Sequence, residues 1–360
     1  MKVLLIRGNP RKTGLTQQVT DRFLKGVLAS GADVTDVDAV ALAIEPCTGC
    51  YTCWAATPGH CIHDDAMKDL LPVVRAADVI VFSTPVNYYA MSGSLKTFIE
   101  RLFPFFAPGI ERSARGYFRN RCRYPADFGR KKLITIVVGS LRHLDTFGPV
   151  NETFRLIADS LDMQIGGQLT RPESYLLQFT RSKPKTVRLI EQAFVDAGMQ
   201  AGTTGCLSAQ TMEQAAQSLS VDDRHFETYS NIYWDRAIRM GAAANLASLR
   251  ECISREPAIL MREMARSVDP KATARVRAVI QMDFPDQDLH YRLTVDRGQC
   301  DIREQPTPEP DLRITCNASV WVDFMLGQLD LHEALRGRQI VVEGDKALFT
   351  RLGRFFPPPS

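Results

Sequence analysis

Four of the nine cysteines fall inside fifteen residues, as Cys47-x2-Cys50-x2-Cys53-x7-Cys61. Three thiolates two residues apart in a loop can converge on one face of a cubane iron–sulfur cluster, and a fourth arrives after a turn through Pro58-Gly59. The same thiolates also suit a closed tetrahedral zinc site. A third arrangement is a reduced, metal-free set or a Cys50/Cys53 redox pair, with Trp54 and Pro58 packing the loop. His63 and Asp64 follow closely, but beside four thiols neither is expected to ligate. The other cysteines are scattered, so in a reducing compartment the cluster favours metal or redox chemistry over a disulfide framework.

Three further segments carry groups able to hold an anion or a flat ring. Gly8-Asn9-Pro10-Arg11-Lys12-Thr13-Gly14-Leu15-Thr16 joins an apolar run to a helical pattern, where free amides and the helix dipole favour an anion. Arg11, Lys12, Thr13 and Thr16 add donors, although an ordinary capped turn would look similar. The segment has neither the G-x-G-x-x-G pattern nor the G-K-[ST] of a P-loop. Thr84-Pro85-Val86-Asn87-Tyr88-Tyr89-Ala90-Met91-Ser92-Gly93 offers backbone amides for the polar edge of a heteroaromatic ring and aromatic surface for its face. Gly139-Ser140-Leu141-Arg142-His143 is placed to meet the same edge. His143 could donate to a ligand there, but a lone loop histidine is ordinarily solvated.

The elements that must position these loops alternate as strand and helix. Strands are predicted at Val3 to Ile6, Val34 to Val40, Val79 to Phe82, Leu133 to Val138 and Gln164 to Thr170. Helices are predicted at Leu15 to Leu28, Ala66 to Ala76, Gly93 to Phe103 and Val150 to Leu161. That succession is a parallel α/β sheet, whose ligands sit beyond the carboxyl ends of the strands, where the three loops should meet. From about Lys183 to Leu249 the pattern is largely helical, including Thr186 to Ala197 and Met212 to Leu219, with an aromatic stretch from Tyr229 to Trp234. It reads as a cap or oligomer-forming segment. After Glu251 alternation appears at Ala278 to Phe284, Leu289 to Val295 and Leu312 to Thr315, then a helix at Ser319 to Leu326 and a strand at Gln339 to Val342. Antiparallel strands with helices at one end, an α+β layer, fit best.

The first two loops resemble the flavodoxin-like NAD(P)H-dependent FMN reductases, with their G-[SN]-P-R-x-x-G-x-T and T-P-V-Y-x5-G-x-L-K-x-F-[IL]-[DE]-R signatures, matched nearly throughout at positions 8 to 16 and 84 to 101. The resemblance extends over about the first 235 residues. It implies a doubly wound sheet of order 2-1-3-4-5, FMN as cofactor and NAD(P)H as co-substrate. It also implies that Asn9, Arg11, Thr13, Gly14, Leu15 and Thr16 hold the phosphate, while Pro85, Val86, Asn87, Tyr88 and Tyr89 border the isoalloxazine, with Gly139 and Ser140 beside them. Asn9, Leu15 and Asn87 depart from the commonest residues of these signatures. The cysteine motif is similar to that of the iron–sulfur flavoproteins, a branch of the same family, and implies one 4Fe–4S cluster on Cys47, Cys50, Cys53 and Cys61.

Two segments remain. Glu111 to Lys132 interleaves Arg112, Arg115, Arg119, Arg121, Arg123, Arg130, Lys131 and Lys132 with Tyr117, Phe118, Tyr124 and Phe128. A solvated or subunit-contacting loop is the plain reading, recognition of a nicotinamide cofactor the sharper one, and single-stranded nucleic acid a distant third. The succession from Val268-Asp269-Pro270 to Val342-Glu343-Gly344-Asp345 resembles the sterol-carrier-protein domain, which implies helices over a sheet around an apolar tunnel. The apolar residues of Trp321 to Leu331 are, at helical spacing, more ordinarily plain core.

The expected organisation is therefore a flavin domain at 1–198, a helical linker or cap at 199–250 and a sterol-carrier-like domain at 251–356. A net charge of +3 over 360 residues gives no argument for nucleic acid or membrane as the main partner, so neither is expected, and no run approaches the ~20 apolar residues of a membrane span. With an N-terminal apolar stretch too short for an export signal, the expectation is a cytoplasmic homo-oligomer. The leading reading is an oxidoreductase passing electrons from NAD(P)H through FMN to a quinone-like or other acceptor. A second is an iron–sulfur flavoprotein moving electrons between flavin, cluster and a protein partner. A third is a lipid-binding or scaffolding protein with a vestigial flavin domain.

Overall fold

A computed structural model describes residues 1–178, 184–220, 257–325 and 329–357, with isolated positions between 223 and 238. Much of the expected linker beyond Ser220, part of the stretch from Tyr229 to Trp234, and Gly327-Gln328 lie outside the described residues. The chain divides into two compact units, one of residues 1–175 and 185–218, the other of residues 176–184 and 219–360.

The first unit is built on parallel strands β1 (Lys2–Arg7), β2 (Asp33–Asp38), β3 (Val79–Pro85), β6 (Lys132–Val138) and β7 (Gln164–Arg171), in the order β2-β1-β3-β6-β7. Two further strands, β4 (Phe106–Arg112) and β5 (Phe118–Cys122), form a separate hairpin. Counting parallel strands alone, this is the flavodoxin-like order 2-1-3-4-5. β1, β3 and β6 are buried nearly throughout, which is why they read as unbroken apolar runs. Helices α1 (Leu15–Ala29), α2 (Met67–Ala76), α3 (Gly93–Glu100), α4 (Pro125–Phe128), α5 (Gly148–Ser160), α6 (Pro184–Thr203) and α7 (Ala209–Ala215) complete the unit. The helix predicted to reach Phe103 stops at Glu100 and passes into a single 3-10 turn, Phe103–Phe105, around Pro104. The helix predicted over Met212 to Leu219 starts earlier, capped by Ser208, and ends at Ala215, where the buried Arg171 guanidinium takes the carbonyls of Ala215 and Gln217 at 2.8 Å each.

The basic segment read as a loop is the β4–β5 hairpin followed by α4, and its cations are largely spent within the unit. Arg119 binds Asp162, Glu111 and the Asp159 carbonyl. Arg123 donates to the carbonyls of Pro104 and Phe106, Arg115 pairs with Glu152, and Lys131 donates to the Arg75 and Ala77 carbonyls.

Helices α1 and α6 pack with their backbones in contact. A Cβ on Gly198 would lie 1.9 Å from the Phe23 carbonyl oxygen, and one on Gly26 equally close to that of Val195. Arg22 and Glu191 pair across the same contact.

The second unit is a five-stranded sheet, β10-β9-β8-β11-β12, of β8 (Arg277–Phe284), β9 (Leu289–Asp296), β10 (Gln299–Glu304), β11 (Leu312–Cys316) and β12 (Ile340–Gly344). The sheet was expected to be antiparallel throughout, but β11 runs parallel to β8. β10 has only Cys300 and Ile302 as half-buried apolar positions and is absent from the sequence expectation. Helices α8 (Pro257–Arg266), α9 (Ala318–Met325), α10 (Leu331–Arg336) and α11 (Lys346–Phe355) accompany it. On one side of β8, Ala278, Ile280, Met282 and Phe284 enter the core. On the other, the buried Asp283 carboxylate bonds to Gln281 at 2.8 Å, His290 at 2.7 Å and Arg313 at 2.7 Å. Burial works against the Asp283 charge, but these three partners outweigh it and hold its carboxyl below the ordinary value.

Two predictions follow from these contacts. Gly198→Val must push α1 and α6 apart, so thermal unfolding should show a loss of about 1–3 kcal/mol. A Tm equal to that of the wild type would mean that the helices separate freely. A depressed folded-state pKa makes the Asp283 contribution full above the unfolded value, and it is lost as pH falls through the folded one. The stability difference between wild type and Asp283→Asn should therefore be largest near neutrality and shrink as pH drops below about 4. Denaturant titrations at several pH values would read this, and a pH-independent difference would remove the carboxylate charge from the network.

Candidate functional site

The first loop meets the second because Gly8 has no side chain. A Cβ there would stand 2.6 Å from Leu95 Cβ and 2.8 Å from Ser92 Oγ. Instead the Ser92 hydroxyl donates to the Gly8 carbonyl and also accepts from the Leu95 amide at the start of α3. The Gly8 amide donates to the Ser83 carbonyl at 2.8 Å, and the Thr84 hydroxyl accepts from the Ser92 amide at 2.9 Å.

Past Gly8 the chain turns through a Gly14 N–H bond to the Arg11 carbonyl and enters α1. Gly14 is the N-cap, extended, with no side chain capping the helix, so the first-turn amides have no intrahelical acceptor. Thr16 is buried in that first turn, Leu15 half-buried, and Arg11 and Thr13 exposed beside it. Lys12 is engaged with Asp38. Asn9 is 2% exposed, and its amide donates to the Arg11 carbonyl at 3.3 Å and to Gln17 Oε1 at 2.8 Å. Its NH2 thus shapes the loop, and its Oδ1 has no partner. Arg7, also near the loop, is locked between Asp21 and Asp36.

The second loop closes as a two-way backbone bridge between Asn87 and Ala90 at 2.9 and 3.0 Å. Its two central residues, Tyr88 and Tyr89, have φ of +51° and +63°. Glycine and asparagine usually fill such a turn; bulky side chains there cost about 1–3 kcal/mol each, strain of a kind that collects at functional sites. Tyr88 is 99% exposed and Tyr89 53%. The third loop approaches through Gly139, where a Cβ would lie 2.7 Å from the Phe147 ring and 3.4 Å from Val86 Cγ2.

Together the second and third loops enclose a cavity of about 340 Å³. Of the residues anticipated from sequence, Val86, Tyr88, Tyr89, Gly139 and Ser140 line it. Pro85 and Asn87 do not, since Pro85 ends β3 and Asn87 spends its backbone on the bridge. Leu141, from the segment expected to meet the ring edge, also lines the cavity, as do Thr146 and Phe147, which were not singled out; the apolar Phe147 just ahead of Gly148-Pro149, where a helix starts, was the available signal. His143 is exposed and is not among the lining residues.

The cysteine segment forms a loop between β2 and α2, turned by Gly49, Tyr51 and Gly59 at φ of +65°, +55° and +85°. Trp54 anchors it, donating Nε1–H to the Phe103 carbonyl at 2.9 Å and packing on Tyr51 and Phe103. Cys47, Cys50, Cys53 and Cys61 all line one cavity of about 20 Å³, with Glu100, Arg101, Phe103 and Pro104 from the end of α3 and His63 from the loop's exit. Burial, then the neighbouring Cys61, Cys47 and Cys50, push the Cys53 thiol up, whereas the Thr52 hydroxyl lowers that of the exposed Cys50. Among the described residues, no three His, Cys, Asp or Glu side chains close on a point tightly enough to hold a single metal ion. The sulfurs surround a space instead.

Two of the residues lining that cavity, Arg101 and His63, each carry a buried nitrogen, Nε and Nε2, without a hydrogen-bond partner. Four thiols with two unpaired nitrogens around one space fit a sulfur-rich anionic group. Arg101 itself is 1% exposed, held bidentate by Asp65 at 2.6 and 3.1 Å and by the Glu45 carbonyl at 2.6 Å. Its guanidinium also reaches the Cys61 sulfur.

In the second unit, a cavity of about 1070 Å³ is lined by Met264, Trp321, Phe324, Met325, Leu329, Leu331, Leu335, Ile340, Phe349 and further apolar residues, with Arg338 and Lys346 among the polar ones. Part of the stretch from Trp321 to Leu331 read as plain core is thus cavity wall.

Comparison with known proteins agrees with this division. Residues 1–143 match the model of the NADPH-dependent FMN reductase family, and residues 259–357 that of the SCP-2 sterol transfer family. An iron-sulfur flavoprotein of Archaeoglobus fulgidus is 37% identical over 105 residues, 29% of this chain and 47% of that protein. One from Methanocaldococcus jannaschii is 29% identical over 104 residues, 29% of this chain and 53% of that protein. The chain spans about half the length of the curated relatives it matches. Among solved structures, an azoreductase from Bacillus anthracis superposes with a TM-score of 0.41 at 14% identity, covering 56% of this chain and 98% of that one. An NAD(P)H:quinone oxidoreductase from Methanothermobacter marburgensis gives 0.39 at 16%, covering 56% and 96%. Among the described residues no helix is long and apolar enough to cross a membrane. The N-terminal part of the chain is thus similar to the NADPH-dependent FMN reductase family and the C-terminal part to the SCP-2 sterol transfer family, each match covering less than half of the polypeptide.

Proposed function

We propose that the chain binds FMN and passes electrons taken from NAD(P)H to a quinone-like or other acceptor. The observation that carries this reading is the meeting of three loops at the carboxyl ends of β1, β3 and β6. An uncapped helix N-terminus lies on one loop, and the other two enclose a cavity with aromatic walls. In this reading the first-turn amides of α1, with Arg11, Thr13 and Thr16, hold the phosphate, and Gly14 keeps the approach open. Leu15 contributes its amide, and Asn9 fixes the loop's shape. Val86 and the Gly139–Ser140 turn face the ring, Pro85 and Asn87 set the course of the loop without touching it, and Tyr88 and Tyr89 cover it and shield it from water. Bound flavin supplies hydride acceptance from a nicotinamide and onward electron release. The chain binds, orients and excludes solvent.

A second reading is supported by the cysteine cavity and by relatives named iron-sulfur flavoproteins. Here Cys47, Cys50, Cys53 and Cys61 hold one 4Fe–4S cluster as a second electron carrier. The apolar cavity of the second unit suits a ligand with a hydrocarbon tail, whose anionic head Arg338 or Lys346 would meet.

Flavin released by heat should chromatograph as FMN, and FAD or no flavin after reconstitution would overturn the reading. Arg11→Ala removes a charge-assisted contact of about 1.5–3 kcal/mol, so the FMN dissociation constant should rise roughly ten- to a hundredfold. An unchanged constant would take Arg11 out of the site. For the second unit, a fluorescent fatty acid should bind more tightly as its chain lengthens, by about 0.8 kcal/mol for each methylene buried. Leu335→Arg, which places a charge in the cavity wall, should abolish that dependence while FMN binding is retained. Affinity independent of chain length would mean the cavity takes no tail.

A further inference from the structure

The two unpaired nitrogens around the cysteine cavity sit on residues with different histories. Arg101 closes α3 and is almost wholly buried, a position that a guanidinium occupies only when its charge is matched. Asp65 supplies one matching charge through a bidentate pair, and Glu45 adds a carbonyl. Those three bonds, however, leave Nε–H without an acceptor, on a residue that lines the cavity together with Cys47, Cys50, Cys53 and Cys61. His63, two residues beyond Cys61, lines the same cavity and carries a second buried, unpaired nitrogen. A buried donor left unpaired costs about 1–3 kcal/mol, so its retention calls for an acceptor. Within this cavity the sulfurs are the group of acceptors present in number.

We infer that Arg101 and His63 are positioning residues of the cysteine site: they donate N–H···S hydrogen bonds to the four-sulfur group held there and make it easier to reduce. This rests on the reading of the cysteines as cluster ligands. The physical ground is that reduction adds negative charge to a group already anionic through its thiolates. A fixed cation and two hydrogen bonds stabilise the reduced form more than the oxidised one, and hydrogen bonds to sulfur are among the factors that set cluster potentials. Asp65 serves this arrangement by holding the guanidinium plane in place, and it offsets only part of the field because it lies on the side of Arg101 away from Nε.

The test is an anaerobic redox titration of the full-length, flavin-loaded and iron–sulfur-reconstituted protein. The cluster is followed by electron paramagnetic resonance and the flavin by absorbance. Arg101→Gln should shift the one-electron equilibrium of the cluster at least tenfold toward the oxidised form, which is about 59 mV more negative. The flavin potential should stay unchanged, and Arg101→Lys should recover part of the shift. Because removing Arg101 strands Asp65, Arg101→Gln is also made together with Asp65→Asn. His63→Phe, which removes no existing bond of Nε2, should lower the potential on its own with full cluster and flavin content. Wild-type potentials in both His63→Phe and the Arg101/Asp65 double variant would overturn the inference while leaving the cysteine reading intact. A wild-type protein that binds FMN but takes up no iron and sulfide would overturn both, and the two failures are told apart by metal content alone.

Discussion

The contact between Gly8 and the first turn of α3 determines where the candidate flavin site can be. The absence of a side chain at residue 8 lets β1 end directly against Ser92 and Leu95, and the Ser92 hydroxyl serves the Gly8 carbonyl and the α3 amide together. Two loops from separate βα units are thereby fixed in register. Thr84 adds a third bond to the same node, and Thr20 meets Ser83 just beneath it. Any side chain at residue 8 would push β1 from α3 and carry the start of α1 with it, which is a larger disturbance than the volume of one methyl suggests.

Burial explains which parts of the fold were legible from sequence. β1, β3 and β6 are enclosed on both faces, so their composition announces them, and the loops at their ends follow from topology. The hairpin β4–β5 was read as a loop because its alternation is carried by arginines: Arg119, whose burial depends on Asp162 far along the chain, and the exposed Arg121. β10 was invisible for a related reason, as an edge strand with mostly exposed residues. In the candidate site, Val86, Tyr88, Tyr89, Gly139 and Ser140 were legible from loop chemistry, whereas Phe147 became a wall only through a close approach to Gly139 that pattern does not encode. Asn9 is the converse case, since a residue type suited to a ligand turns its amide inward to the loop. The parallel pairing of β8 with β11 depends on the route of the chain between them, which alternation cannot report.

The cysteine site shows how charge organises a loop with little regular structure. Arg101 pulls together the carbonyl of Glu45 before the cysteines, Cys61 at their end and Asp65 after them, so a single side chain gathers both ends of the segment. Trp54 then pins its middle to Phe103. Both anchors belong to the end of α3 or the turn that follows, so a segment whose own turn bonds run from Tyr51 to His60 is held in place from outside.

Helix α3 therefore has the first and second loops tied to its first turn and the cysteine wall to its last, and in the proposed reading these are the seats of two electron carriers. Eight residues of α-helix span about 12 Å and stretch very little. Traffic of electrons between two centres depends steeply on the gap between them, and a gap bridged by loops would fluctuate as the loops breathe. A gap set by one helix behaves as a stiff spacer. Thermal motion of Tyr88 or of the cysteine turn can then alter access from solvent without altering the spacing, so control of reactivity falls to what docks at either end.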